Sequence, residues 1–190
     1  EIDANSYQHE PFLQAYNANN KTDLVVAGKT YLAPLALYSK KIKSASEIKD
    51  GATIAIPNDP SNGGRALQLL AKQGWIELKP DVPATKVTKA DITKYVKKIK
   101  IVEIEAPQLP RSLDDTTASV INAGYAFAAN LTKKDQIVAE DNTSPYVNII
   151  AVKKGRETDP SIVKYIEIFH TEPVKKFIED KYKGQVVPAW

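Results

Sequence analysis

The chain has 190 residues, 43% of them hydrophobic, and a formal net charge of +3. That length buries one good core or two small ones, and the charge is too small to argue for nucleic acid or an anionic membrane as partner. With no cysteine and only two histidines, His9 and His170, far apart in the chain, disulfides, thiol catalysis and Cys-bound zinc are excluded, and a His-based metal site has little support.

No run approaches the roughly 20 apolar residues that span a bilayer. The sequence opens at Glu1 in mid-pattern, without an initiator methionine or signal peptide, and so reads as a processed or partial product. Residues 1–6 suit the end of a strand, and Pro11 stands where a helix's first turn begins, with Phe12, Leu13, Ala15 and Tyr16 as its face. Tyr7 and His9 fall at that strand-to-helix junction, where α/β folds present binding groups. Each also has a plain structural reading, Tyr7 as a core-edge residue and His9 as a side chain tied to a nearby backbone carbonyl. Residues 24–27 (LVVA) form a buried strand that leads through Gly28 into an extended stretch broken by Pro34. Residues 46–50 fit a single helical turn.

The stretch 54–74, IAIPNDPSNGGRALQLLAKQG, is the most informative. Residues 53–56 read as a strand, and 57–64 as a polar turn with two prolines and paired glycines that permit positive φ and close approach. The helix is expected from Arg65, with Leu67, Leu70 and Ala71 on one face and Gly74 as its stop. In a first turn Arg65 would add a bidentate fork beside unpaired amide donors, a fit for a carboxylate. From this segment alone two readings stand: a ligand carboxylate, or a nearby Asp or Glu. Neither a P-loop nor a G-x-G-x-x-G fingerprint is present.

Beyond it, the prolines at 80 and 83 indicate a loop, residues 90–97 a short helix whose lysines form a solvated face, and 99–104 a strand. A proline turn and helix start follow at EAPQLPRSLDD. A strand over 118–121 ends at Asn122, residues 125–131 are helical, and 144–152 are a strand entered through Pro145. Asp159-Pro160 caps a helix, and a second helix stops at Gly184. Strands alternating with helices indicate an α/β protein with mainly parallel sheets. Polar turns follow strand ends at Pro57, Pro107 and Asn122, the edge where open α/β sheets bind ligands. Sequons stand at Asn20, Asn130 and Asn142; they bear on the protein only if it passes a glycosylating route.

The motifs YSKKIKS, IPNDPSNGGRALQLL, IVEIEAPQLPRSLDD, VINAGYA and SPYVNIIAV, in this order and between DANSYQHEPFL and VPAW, resemble the NlpA-type methionine-binding lipoproteins along essentially the whole chain. The resemblance implies an extracytoplasmic substrate-binding protein of a methionine ABC importer, without cofactor or metal and not an enzyme. It implies two α/β lobes of the periplasmic-binding-protein type, joined by a hinge and closing on an amino acid. Lobe one is expected over residues 1–33 and 147–190, and lobe two over 34–146. It further implies that Arg65 takes the ligand carboxylate, serving the ligand and not the core. Asn122 and Asn148 would hold polar backbone groups of the ligand, while Tyr7 and His9 contribute from the other lobe. An aromatic edge for a thioether could come from Tyr7 and Tyr31.

Two departures qualify this. Relatives carry a preceding stretch with a lipid-modified cysteine, a first strand and a helix, which this sequence does not include, so lobe one is expected to be incomplete. Ala33, beside Tyr31, offers no side-chain contact at a position where relatives vary. L-methionine is the first expected ligand and a membrane permease the partner, in the cell envelope outside the cytoplasmic membrane. D-methionine, another apolar amino acid or a methionine-containing dipeptide are the alternatives. An enzyme using Asp59 or Glu105 near His9 is the rival reading, but no nucleophile–base–orienter set can be named.

Overall fold

The computed structural model describes residues 2–141 and 144–190, so the sequon at Asn142 lies outside the described residues. The chain forms two compact units, Glu1–Pro34 with Asp141–Trp190 and Leu35–Glu140. The divisions fall at 34/35 and 140/141, against the 33/34 and 146/147 expected from sequence. At both places a backbone bond marks the boundary, since the Glu140 amide donates to the Leu35 carbonyl at 3.0 Å.

The first unit opens with a two-residue strand β1 (Ala4–Asn5) and helix α1 (Glu10–Asn20). His9 caps α1 by accepting the Phe12 amide on Nδ1 at 3.1 Å, and Pro11 lies in the first turn, where its missing N–H costs nothing. The helix ends at Lys21, in the left-handed region at φ 54°. Strand β2 (Leu24–Leu32) follows and is longer than the apolar run at its start.

The second unit begins with β3 (Ala36–Tyr38) and β4 (Thr53–Pro57), joined through a 3-10 turn at Ala45–Glu47. Helix α2 (Pro60–Lys72) starts five residues before the expected Arg65, because Asp59 caps it and Pro60 takes its first position. Arg65 therefore lies in the second turn, and Gly63 and Gly64 are helical residues with no need of positive φ. Their use is close approach: a Cβ on Gly64 would stand 2.4 Å from the Val87 carbonyl oxygen. Gly74, at φ +69°, ends the helix as expected.

Strands β5 (Ile76–Leu78) and β6 (Ile92–Tyr95) form an antiparallel pair, so the helix expected over 90–97 is corrected. Ile76 is buried, and cross-strand pairing overrides the helix propensity of the lysines. Then come β7 (Lys100–Ile104), α3 (Leu109–Ser112), β8 (Ala118–Ile121), α4 (Ala123–Ala128) and β9 (Gln136–Ala139). The sheet order is β7-β4-β8-β3-β9. Alternation in β4 sends Ile54 and Ile56 to a core shared with Leu67 and Leu70 of α2, and Ala55 to a second core with Leu109 of α3 and Ala126 of α4.

The chain then returns to the first unit with β10 (Val147–Lys153), α5 (Pro160–Phe169), α6 (Glu172–Tyr182) and β11 (Val187–Pro188). Its sheet, ordered β1-β10-β2-β11, is antiparallel throughout. In the second unit only β4–β7 and β4–β8 are parallel, while β3 runs antiparallel to β8 and β9. The expectation of mainly parallel sheets is thus corrected: in the first unit β10 lies between β1 and β2, and β2 between β10 and β11, so every neighbouring pair is antiparallel.

Candidate functional site

In the second unit the site begins where β4 ends. The Asp59 carboxylate accepts the Asn62 amide (3.0 Å), the Ser61 hydroxyl (3.0 Å) and, on both oxygens, the Asn62 side-chain Nδ2 (3.1 Å each). Asn62 is itself buried, and its Oδ1 accepts from Nδ2 of Asn122 at 2.8 Å. Asn122 sits at the end of β8 and the start of α4, yet its side chain does not cap that helix. Asn62 and Arg65 are three residues apart on α2 and so share a face. Asn62, which the sequence reading passed over, is thus bonded to Asn122 and lies on the helix face that carries Arg65.

Arg65 is 2% exposed. Its Nε donates to Oε1 of Glu140 at 2.7 Å and its Nη2 pairs with Oε2, a side-on fork. Oε2 of Glu140 also accepts the Leu35 amide at 2.9 Å. Glu140 is thus the nearby acid considered for Arg65 in the sequence. This corrects the expectation that its side chain serves only a ligand and not the core. Glu140 is not singled out by the sequence reading. A 75-residue separation leaves no local signal for such a pair.

In the first unit three expected residues come together. His9 and Asn148 form an isolated antiparallel bridge next to β1, flanked by the Ile149 amide donating to the Gln8 carbonyl at 2.9 Å. Asn148 Nδ2 donates to the Tyr7 carbonyl at 3.1 Å. His9 is 5% exposed and lies edge-on to Tyr146, centroids 5.0 Å apart, and to Phe12 at 6.2 Å. Its Nδ1 accepts the Phe12 backbone N–H. The Tyr7 residue is 61% exposed and its ring meets Phe12 at 6.0 Å. Tyr31 lies elsewhere in the same sheet, on β2 opposite Pro188 of β11.

Among the described residues no cluster of His, Cys, Asp or Glu could hold a metal ion. Asp59, offered as an acid or base in the rival enzyme reading, is occupied by the cap and by Asn62. Buried amides, a guanidinium and a polar strand end can bind a zwitterion by hydrogen bonds and charge.

Comparison with known proteins gives a consistent result. The whole chain, residues 1–190, matches the NlpA lipoprotein family. It is 44% identical over 193 residues to the D-methionine-binding lipoprotein MetQ of Salmonella typhi, covering 100% of this chain and 71% of that protein. It is 43% identical over 191 residues to outer membrane lipoprotein 3 of Mannheimia haemolytica, covering 100% and 72%. Among solved structures, a nutrient binding protein from Burkholderia cenocepacia bound to methionine superimposes with a TM-score of 0.95 at 44% identity, over 100% of this chain and 80% of that one. Described helices, moreover, include none long and apolar enough to cross a membrane. On this evidence the chain, an α/β protein of the two-lobe binding-protein type, belongs to the NlpA lipoprotein family.

Proposed function

We propose that this protein is the extracytoplasmic substrate-binding component of a methionine ABC importer, that it captures methionine in the cell envelope, and that it delivers the ligand to a membrane permease without chemical change. The observation that carries the reading is the 44% identity, over the entire chain, to a structure bound to methionine. In this reading Arg65 takes the ligand carboxylate. A guanidinium carries five N–H donors and can serve two acids, so Glu140 holds the fork in orientation while the ligand is its second acid partner. Asn122 and Asn148 bind the polar backbone groups of the ligand. Tyr7, His9 and Tyr31 supply the aromatic and polar remainder, to which a polarizable thioether is suited.

The test is calorimetry with L-methionine, D-methionine, leucine, a glycyl-methionine dipeptide and methionine methyl ester. Mass spectrometry of the ligand released on denaturation completes it. L-methionine is expected to bind best and to be recovered unchanged, and the methyl ester to bind poorly. Tighter binding of D-methionine or of the dipeptide would move the ligand within the same class. No binding of any of them, or recovery of a converted product, would overturn the reading.

A further inference from the structure

We propose that Asp59 and Asn62 are positioning residues that lock the Asn122 amide with its oxygen toward the ligand, so that this position accepts a hydrogen bond and selects a ligand carrying an ammonium group. The inference rests on the binding reading above and adds its polarity. It follows from donor–acceptor accounting along three side chains of the second unit. An ionised carboxylate only accepts, so Asp59 compels Asn62 to present Nδ2, which it does to both oxygens at 3.1 Å. Asn62 must then turn Oδ1 the other way, toward Asn122. To meet an acceptor, Asn122 must offer Nδ2, the bond of 2.8 Å observed. Its Oδ1 is left facing away from Asn62, buried, and among the described residues no group donates to it.

The orientation of an asparagine amide is ordinarily ambiguous, because oxygen and nitrogen are alike in shape. Here the charge at one end of the chain removes the ambiguity at the other. Asn122 also forgoes the usual role of an asparagine at a helix start, since its side chain makes no capping bond to α4. A buried acceptor without a donor is unfavourable, and a ligand N–H relieves it. In an amino acid the group able to supply that N–H is the α-ammonium. An ammonium bonded to a neutral amide is worth about tenfold to a hundredfold in affinity.

The experiment compares methionine with its deaminated analogue, 4-(methylsulfanyl)butanoate, by calorimetry on wild type, Asp59→Asn and Asn62→Leu. Asparagine caps helices as well as aspartate does, so Asp59→Asn keeps α2 while giving the chain of amides two equivalent orientations. Wild type is expected to prefer methionine at least about tenfold. Asp59→Asn and Asn62→Leu should lose about tenfold of that preference, through methionine and not through the analogue. A merely structural role would weaken both ligands alike and leave the ratio unmoved. An unchanged ratio in folded Asp59→Asn, with methionine still bound by wild type, overturns the locking role alone. Failure of wild type to bind methionine overturns the functional reading and this inference with it. Should Asn62→Leu fail to fold, Asp59→Asn decides.

Discussion

The two units differ in how deeply they bury what they hold. In the second, Leu35, Ile54, Ile56, Leu67, Leu70, Trp75 and Val120 belong to one continuous core on one face of the sheet, with a further core on the other. In the first, Leu13, Ile149 and Ala151 form a small cluster on one face of the sheet, and Ile150, Val152 and Ile162 another on the opposite face. Tyr165, Ile168 and Phe177 of its helices are about half exposed. A thick core lowers the local dielectric, which strengthens a satisfied ion pair or amide chain and makes a broken one costly. The deeply cored unit is also the one that carries the Arg65–Glu140 pair and the Asp59–Asn62–Asn122 chain. The candidate residues of the other unit rest on a bridge beside a two-residue strand.

The largest expected effect is at the buried pair. Arg65→Ala strands the Glu140 carboxylate and should cost about 3–5 kcal/mol of stability as well as methionine binding. Combining it with Glu140→Gln should recover much of the stability and none of the binding. Urea unfolding beside calorimetry separates the two, and an Arg65→Ala protein as stable as wild type would show that the pair contributes nothing. Next, truncation of core leucines should rank the units directly. Leu67→Ala, in the large core, is expected near the upper end of the usual range, at about 4 kcal/mol. Leu13→Ala, whose cluster can collapse, should lie near the lower end, at about 2 kcal/mol. Equal losses would erase the contrast.

A smaller effect tests rigidity. An added methyl at Gly64 meets the Val87 backbone oxygen at 2.4 Å, whereas at Gly28 it meets the Ile166 side chain at 3.1 Å. Gly64→Ala should therefore lose about 1–3 kcal/mol, while Gly28→Ala should change stability by less than about 1 kcal/mol as Ile166 shifts. Thermal denaturation of the pair suffices. The smallest effect is acid sensitivity. Asp135 is held below the usual carboxylate range by the Thr132 amide, Asp91 by the Thr88 hydroxyl and amide, and Glu47 by the Lys43 amide, all at turns of the second unit. A lowered folded pKa contributes stability that is present above the unfolded carboxylate range, about pH 4, and fades as pH falls through the folded values. Hydrogen-exchange protection, taken relative to the intrinsic rate at each pH, should fall at residues 44–47, 88–91 and 132–135 below about pH 4. Unchanged protection there would remove these turns from the account.

Much of the fold was legible because its signals are local. Asp159 with Pro160, Gly74, Gly184 and the β-branched runs at 53–56 and 118–121 each declare an element boundary or strand without reference to distant residues. Strands β6 and β9 were missed for the opposite reason: KADITKYV and QIVA take their state from partners, β5 and β3, that local propensity does not contain. Placing the start of α2 at Arg65 hid five residues of helix and one relation besides. It separated Asn62 from Arg65, which a helix begun at Pro60 sets on one face. Glu140 could not be read at all, since the bond that defines its role joins positions 65 and 140.

The order of strands in the first unit also bears on synthesis. Strand β2 pairs with β10 and β11, and β1 pairs with β10, so both early strands wait for residues made after the whole of 35–140 has emerged. Those middle residues form a compact unit of their own, whose ends Leu35 and Glu140 are bonded to each other. The middle unit is thus able to fold first on the ribosome or on leaving a translocation channel. The apolar run at 24–27 meanwhile stays without its sheet partner until β10 has been made. A pause in translation between residues 35 and 140 prolongs that exposure, which makes codon usage and chaperone access over the middle of the message a determinant of yield.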